Sequence, residues 1–149
     1  MRLEDRIEVG EVSPTEAQDL LRDNPGARLV DVRTQAEWDF VGVPNVSDLG
    51  QTLYCVEWAS HPGMIQNGDF VRQLDEALGE GDYGPVLFLC RSGVRSLRAA
   101  AAFAEHMANL GRPVACLNVA EGFEGDLDPD RHRGGANGWK ARGLPWQQS

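Results

Sequence analysis

Apolar and polar positions along this chain follow two rhythms that alternate from the N-terminal third to the end. Short apolar runs rich in β-branched residues predict buried strands at "ARLVDVR" (27–33), "QTLYCVEWA" (51–59), "PVLFLC" (85–90) and "PVACLNV" (113–119). Between them the spacing turns helical. "SPTEAQDLL" opens on Ser13 as a cap, with Pro14 at the first helical position and Glu16 completing a capping box. Thr34 and Glu37 repeat that box in "TQAEWDF", which predicts a short helix directly after the first strand. In "DFVRQLDEAL", Phe70, Val71, Leu74, Ala77 and Leu78 share one helix face, and Gly79 ends it. "SLRAAAAFAEHMANLG" is an alanine-rich helix stopped by Gly111. "VGVPNVSDLG" and "SHPGMIQNG" read as loops, and the tail from Glu121 is loop-rich with one short helix around Asn137–Arg142. Strands alternating with helices predict an α/β fold with a largely parallel central sheet.

Composition narrows what such a fold does. The chain has 149 residues, which suits a single domain spanning 1–149, able to bury a core without disulfides. A net charge of −9 argues against general nucleic-acid binding and against an anionic membrane surface. "MRLEDRIEVG" has no apolar leader segment, and no stretch approaches the ~18 apolar residues of a membrane span. Cys55, Cys90 and Cys116 are odd in number and widely spaced, which is neither a disulfide framework nor a zinc pattern. A reducing cytoplasm is the expected location. His61, His106 and His132 show no metal spacing, so no metal is expected, and His106 reads as helix surface.

The candidate chemistry lies in "VLFLCRSGVRS" (86–96). Cys90 ends a strand at the sheet edge where ligands of open α/β sheets bind. The short loop to the next helix, expected to begin near Arg95 or Ser96, contains Gly93, free to adopt a conformation closed to other residues. Such a loop turns its amides toward one point, and the helix N-terminus adds positive potential. Arg91, Arg95 and Arg98 add formal charge, and no acid intervenes before Glu105. All of this favours thiolate over thiol and marks Cys90 as an anionic nucleophile. Cys55 and Cys116 lie inside apolar runs and are expected to be core residues.

Four segments in order resemble the rhodanese-type sulfurtransferases. "CRSGVRS" is similar to that family's active-site loop, "VDVRTQAEW" to its first strand and following helix, "VGVPNV" to its G-H-I-P-G-A turn, and "GWKARGLPW" to its C-terminal G-W-x-x-x-G-L-P segment. The resemblance spans nearly the whole chain. It implies a rhodanese-like α/β fold, with a mostly parallel five-stranded sheet flanked by helices on both faces. It also implies thiosulfate sulfurtransferase activity through a Cys90 persulfide. The loop amides of Arg91, Ser92, Gly93, Val94, Arg95 and Ser96 would hold the persulfide, and Arg91 and Arg95 would attract a small anionic sulfur donor. The acceptor would be cyanide in the test tube, and a thiol or a protein in cells. No cofactor is implied. Asp31 and Arg33, on the same sheet edge, are either supporting residues, Asp31 to orient a loop arginine and Arg33 to pair with Glu37, or structural braces only.

Gly42 and Asn45 depart from the family's turn, and "EGDLDPDRHRG" looks like an insertion, about 123–134, before the final helix. Because β-strand ends share an edge in a parallel sheet, that segment is expected either as a solvated loop or as a partial rim over the pocket. Two rival functions are considered. Rhodanese-fold phosphatases and arsenate reductases use a C-x5-R loop; here the spacing is C-x4-R, and Ser96 occupies the later position. The other rival is an interaction or sulfur-carrier module, which often lacks the cysteine.

Overall fold

The computed structural model describes residues 9–148. The segment read above as lacking a leader falls mostly in 1–8, outside the described residues. In chain order the elements are β1 (Gly10–Val12), α1 (Pro14–Asp23), β2 (Arg28–Asp31), α2 (Gln35–Phe40), β3 (Val43–Pro44), β4 (Leu53–Cys55), β5 (Ala59–Ser60), β6 (Ile65–Gln66), α3 (Phe70–Leu78), β7 (Val86–Leu89), α4 (Val94–Asn109), β8 (Cys116–Val119), α5 (Gly138–Ala141) and β9 (Trp146–Gln147).

Five strands form the central sheet in the order β1-β8-β7-β2-β4, all parallel. Side chains of successive strand residues point to opposite faces, and the apolar runs fill both. Val30, Val86, Phe88 and Cys90 pack with Phe70 and Leu74 of α3 and Ala99, Phe103 and Met107 of α4. Leu29, Leu87, Leu89 and Val119 pack with Ala17 and Leu21 of α1 and Trp139 of α5. The expected three-layer α/β arrangement is therefore present.

Both capping boxes form. The Ser13 and Thr34 side chains accept from the Glu16 and Glu37 amides, and each glutamate reaches back to its cap residue's N–H. Residue α2 39–40 is exposed and the helix buries no side chain; it serves to turn the chain at the C-terminal edge of β2.

Three features differ from the sequence expectations. β1 is an added edge strand beside β8; its Gly-Glu-Val sequence is too short and too polar to register as an apolar run. The strand expected over 51–59 stops at Cys55, and the chain leaves the sheet. Ala59–Ser60 then pairs antiparallel with Ile65–Gln66, so part of the expected loop at 60–68 is a small hairpin. The turn "VGVPNV" is tied to the chain's end by antiparallel pairing of Val43 with Gln147 and of Pro44 with Trp146.

Candidate active site

Register fixes the site's position. Asp31 at the end of β2 is level with Leu89 on one side and Cys55 on the other, so Cys90 stands one residue beyond the last paired position of β7. Gly93, at φ 112, turns the chain into α4, which starts at Val94, slightly earlier than expected. The Gly93 N–H and the Ser96 hydroxyl lie 3.1 and 3.2 Å from Cys90 Sγ. The sulfur is buried, with Cys90 1% exposed. Ser96 Oγ is also 2.6 Å from Asn118 Oδ1, and the Asn118 Nδ2 donates to the Gly93 carbonyl at 3.2 Å. Ser96 has one hydroxyl proton, so it serves either the sulfur or Asn118 at a given moment. Asn118, a polar residue within the apolar run of β8, thus fastens the middle and the far end of the cysteine loop, at Gly93 and Ser96, to the sheet.

The arginines divide into separate roles. Arg95 forms a bidentate pair with Glu37, at 2.7 and 2.9 Å, bridging the cysteine loop to α2. Burial acts to raise the Glu37 carboxyl, but the Arg95 hydrogen bonds and charge, with the Thr34 amide, outweigh it and hold Glu37 below its ordinary value. Arg91 is exposed and has no ion-pair partner among the described residues. Ser92, Gly93 and Val94 line a separate recess with Arg98, on the side of Asn118 and Glu121.

Two expectations about β2 are overturned. Arg33 does not reach Glu37, and Asp31 does not hold a loop arginine; the two pair with each other, at 2.7 Å, both fully buried. The reason is local: Asp31 and Arg33 project to the same face two residues apart, whereas Glu37 is carried toward α4. Arg33 also donates to the Gly42 carbonyl at 2.7 Å, and its guanidinium lies 4.4 Å from the centre of the Phe123 ring. One Arg33 nitrogen, Nη1, has no hydrogen-bond partner among the described residues, and the ring face compensates it in part. Asp31 and Arg33 are therefore a buried brace under the Gly42 turn.

A cavity of about 470 Å³ opens against the loop. Arg91 and Arg95 form one wall, Thr34 and Glu37 another, and Glu124 and Arg133 of the segment after β8 a third. That segment reaches the cavity through Glu124 and Arg133 alone among the described residues. Its backbone is sewn to the loop: Phe123 N–H donates to the Cys90 carbonyl at 2.8 Å, and Glu124 and Gly125 N–H donate to the Arg91 carbonyl at 3.0 and 3.1 Å. Gly122 is what permits this approach, because a Cβ there would meet the Cys90 carbonyl oxygen at 2.5 Å.

The other cysteines part company. Cys116 is buried as expected, and burial pushes its thiol up to about 12. Cys55 is exposed, not core, because β4 is an edge strand and the chain leaves it at once. Its thiol is also pushed up to about 12, by loss of solvent and by Asp31. Alternation places Cys55 on the sheet face opposite Cys90.

The family model for the rhodanese-like domain matches residues 13–127. The chain belongs to the rhodanese-like domain family. A crystal structure of Rv0390 from M. tuberculosis superimposes with a TM-score of 0.81 at 45% identity, covering 95% of this chain and 98% of that one. An uncharacterized protein of Rickettsia rickettsii is 35% identical over 141 residues, 95% of this chain and 99% of its own. A polysulfide-sulfur transferase homodimer from Wolinella succinogenes shares the fold, with a TM-score of 0.57 at 22% identity over 95% of this chain and 80% of that one.

Of the six loop residues expected around the sulfur, Gly93 and Ser96 hydrogen-bond it among the described residues, while Arg91 and Arg95 line the cavity. Asn118 was not anticipated; its only signal is one amide in an apolar strand. The family match ends at Leu127, so Arg133 lies beyond it. No helix among the described residues is long and apolar enough to cross a membrane.

Proposed function

We propose that the protein is a sulfurtransferase that moves a sulfane sulfur from thiosulfate or a related donor to a thiophilic acceptor through a Cys90 persulfide. The observation that carries the reading is the setting of Cys90 Sγ, facing the Gly93 N–H and the Ser96 hydroxyl where β7 passes into α4. These donors are placed to hold the negative charge of a Cys90 persulfide.

In the first half-reaction the Cys90 thiolate attacks the outer sulfur of thiosulfate. A new S–S bond forms, the donor's S–S bond breaks, and sulfite leaves with the electron pair. The anionic Cys90 persulfide remains. In the second, cyanide or a thiolate attacks the terminal sulfur, and Cys90 departs as thiolate. Charge balances in each step, and no external oxidant or reductant takes part. Arg91, the loop cation without a carboxylate partner among the described residues, draws in the anionic donor, while Arg95 is largely neutralised by Glu37 and holds the loop in place.

The test is intact mass of the protein after thiosulfate, together with thiocyanate formation. Wild type gains one sulfur atom, which cyanide removes. Cys90→Ala folds, gains none and makes no thiocyanate. Sulfur transfer surviving in that variant refutes the mechanism.

A further inference from the structure

We infer that the cavity walled by Arg91 and Arg95 of the cysteine loop selects an organic persulfide with an α-amino-acid head, a carboxylate and an ammonium on one small molecule, as its sulfur donor. This rests on the sulfurtransferase reading and specifies its substrate class.

Size is the first argument. At about 470 Å³ the cavity falls in the range of about 300–1,000 Å³ that holds organic ligands. Ala36, Val41 and Met64 give it an apolar wall, from which an inorganic oxyanion gains nothing.

Charge is the second. Arg91 and Arg133 both line the cavity, and among the described residues neither forms a salt bridge. Arg133 donates from Nη1 to the Gly125 carbonyl at 2.7 Å, which fixes the side chain and leaves its other donors open. Together they match a carboxylate. Glu124 lines the same cavity, also without a salt-bridge partner among the described residues. A carboxylate in an anion site weakens a dianion such as thiosulfate but complements an ammonium group. Arg95 and Glu37 cancel each other, which leaves two arginines and one carboxylate unpaired among the described residues, with the His61 imidazole also lining the cavity.

Rigidity is the third. Glu124 and Arg133 sit at the two ends of a loop closed on itself by Gly134 N–H to the Glu124 carbonyl at 2.8 Å, and the loop is bonded to the Arg91 carbonyl. The recognition groups are therefore held in register with the cysteine loop rather than swinging over it.

The transfer step keeps the chemistry of the first half-reaction. The Cys90 thiolate attacks the outer sulfur of R–S–SH, the bond between the donor's two sulfurs breaks, R–S⁻ leaves, and Cys90–S–SH forms.

Three matched donors test this: cysteine persulfide, 3-mercaptopropionate persulfide, which lacks the ammonium, and cysteamine persulfide, which lacks the carboxylate. Thiosulfate is run alongside. The readout is the single-turnover rate of sulfur loading on Cys90, by intact mass, at subsaturating donor. Cysteine persulfide is expected to load about fivefold to tenfold faster than either truncated donor, the scale of one partly exposed charge pair each. Arg133→Gln should narrow the gap between cysteine and cysteamine persulfide, Arg91 keeping part of it. Glu124→Gln should level cysteine with 3-mercaptopropionate persulfide. Equal loading of all three donors by wild type overturns the inference, and that comparison stands even if a variant fails to fold. Loading by thiosulfate alone also overturns it while sparing the sulfurtransferase reading. Loading by none of the four overturns both.

Discussion

Replacing Glu37 by Gln separates two jobs that this residue performs. As the third residue of α2 it closes the capping box with Thr34, and as a carboxylate it holds Arg95. Glutamine keeps the first and loses the charge of the second. The Glu37 and Arg95 side chains are 19% and 17% exposed, between the surface and buried extremes. Exposed pairs contribute about 0–1 kcal/mol, and truncating one member of a buried pair costs about 3–5 kcal/mol. With one hydrogen bond retained by glutamine, the expected loss is about 1–2 kcal/mol, or a melting midpoint lower by roughly 2–8 °C for a chain of this size. pH supplies a second axis. Glu37 titrates below its ordinary value of 4.5 in the folded state, so its stabilisation is complete above that value and disappears as pH falls through the lowered one. The gap between wild-type and variant melting curves should therefore be constant near neutrality and close in acid below pH 4.5. Freed from its partner, Arg95 adds a cation to the cavity wall. Thiosulfate KM should then fall about twofold to fivefold, the effect of one screened charge. Circular dichroism melts and steady-state thiocyanate assays measure both arms. An unchanged midpoint would show that the pair does not hold α2 to the loop. A raised KM would show that Glu37 positions Arg95 for the donor instead of neutralising it.

Two further outcomes follow from the same geometry. Arg33→Ala leaves Asp31 buried without its partner and should cost about 3–5 kcal/mol in urea unfolding; replacing both by apolar residues of similar volume should recover much of that, and an unperturbed Arg33→Ala midpoint refutes the brace. p-Nitrophenyl phosphate should not be turned over, because the position that a phosphate loop gives to arginine is held by Ser96, whose hydroxyl faces Cys90 and Asn118; turnover comparable to sulfur transfer refutes the loop-length argument.

What the sequence revealed was local. Both capping boxes, the Gly79 stop and the central strands β2, β7 and β8 are each encoded within a few neighbouring residues, and each formed. The cysteine loop was legible for the same reason, since Cys90, Gly93 and Ser96 lie within seven consecutive residues. The hairpin of β5 and β6 was not, because its pairing is two residues long and its sequence has no alternation to read. The edge strand β1 forms only because β8 offers it a partner.

Charge was the least legible property, and it matters most for function. Counting along the chain gives the cysteine loop three arginines and no acid, a uniformly cationic cradle. Folding brings Glu37 to Arg95 across 58 positions and so removes one of those charges from the field. It turns Arg98 toward a different recess, and it carries Arg133 in from a segment that looked mainly acidic. The set of cations facing the cavity is thus not the set that surrounds Cys90 in sequence. Electrostatic interactions depend on separation in space and on solvent, whereas capping and strand formation depend on separation along the chain. On the proposed sulfur-transfer reading, the motif supplies the nucleophile, and the residues that would choose the donor are ones topology delivers from α2 and from the loop after β8.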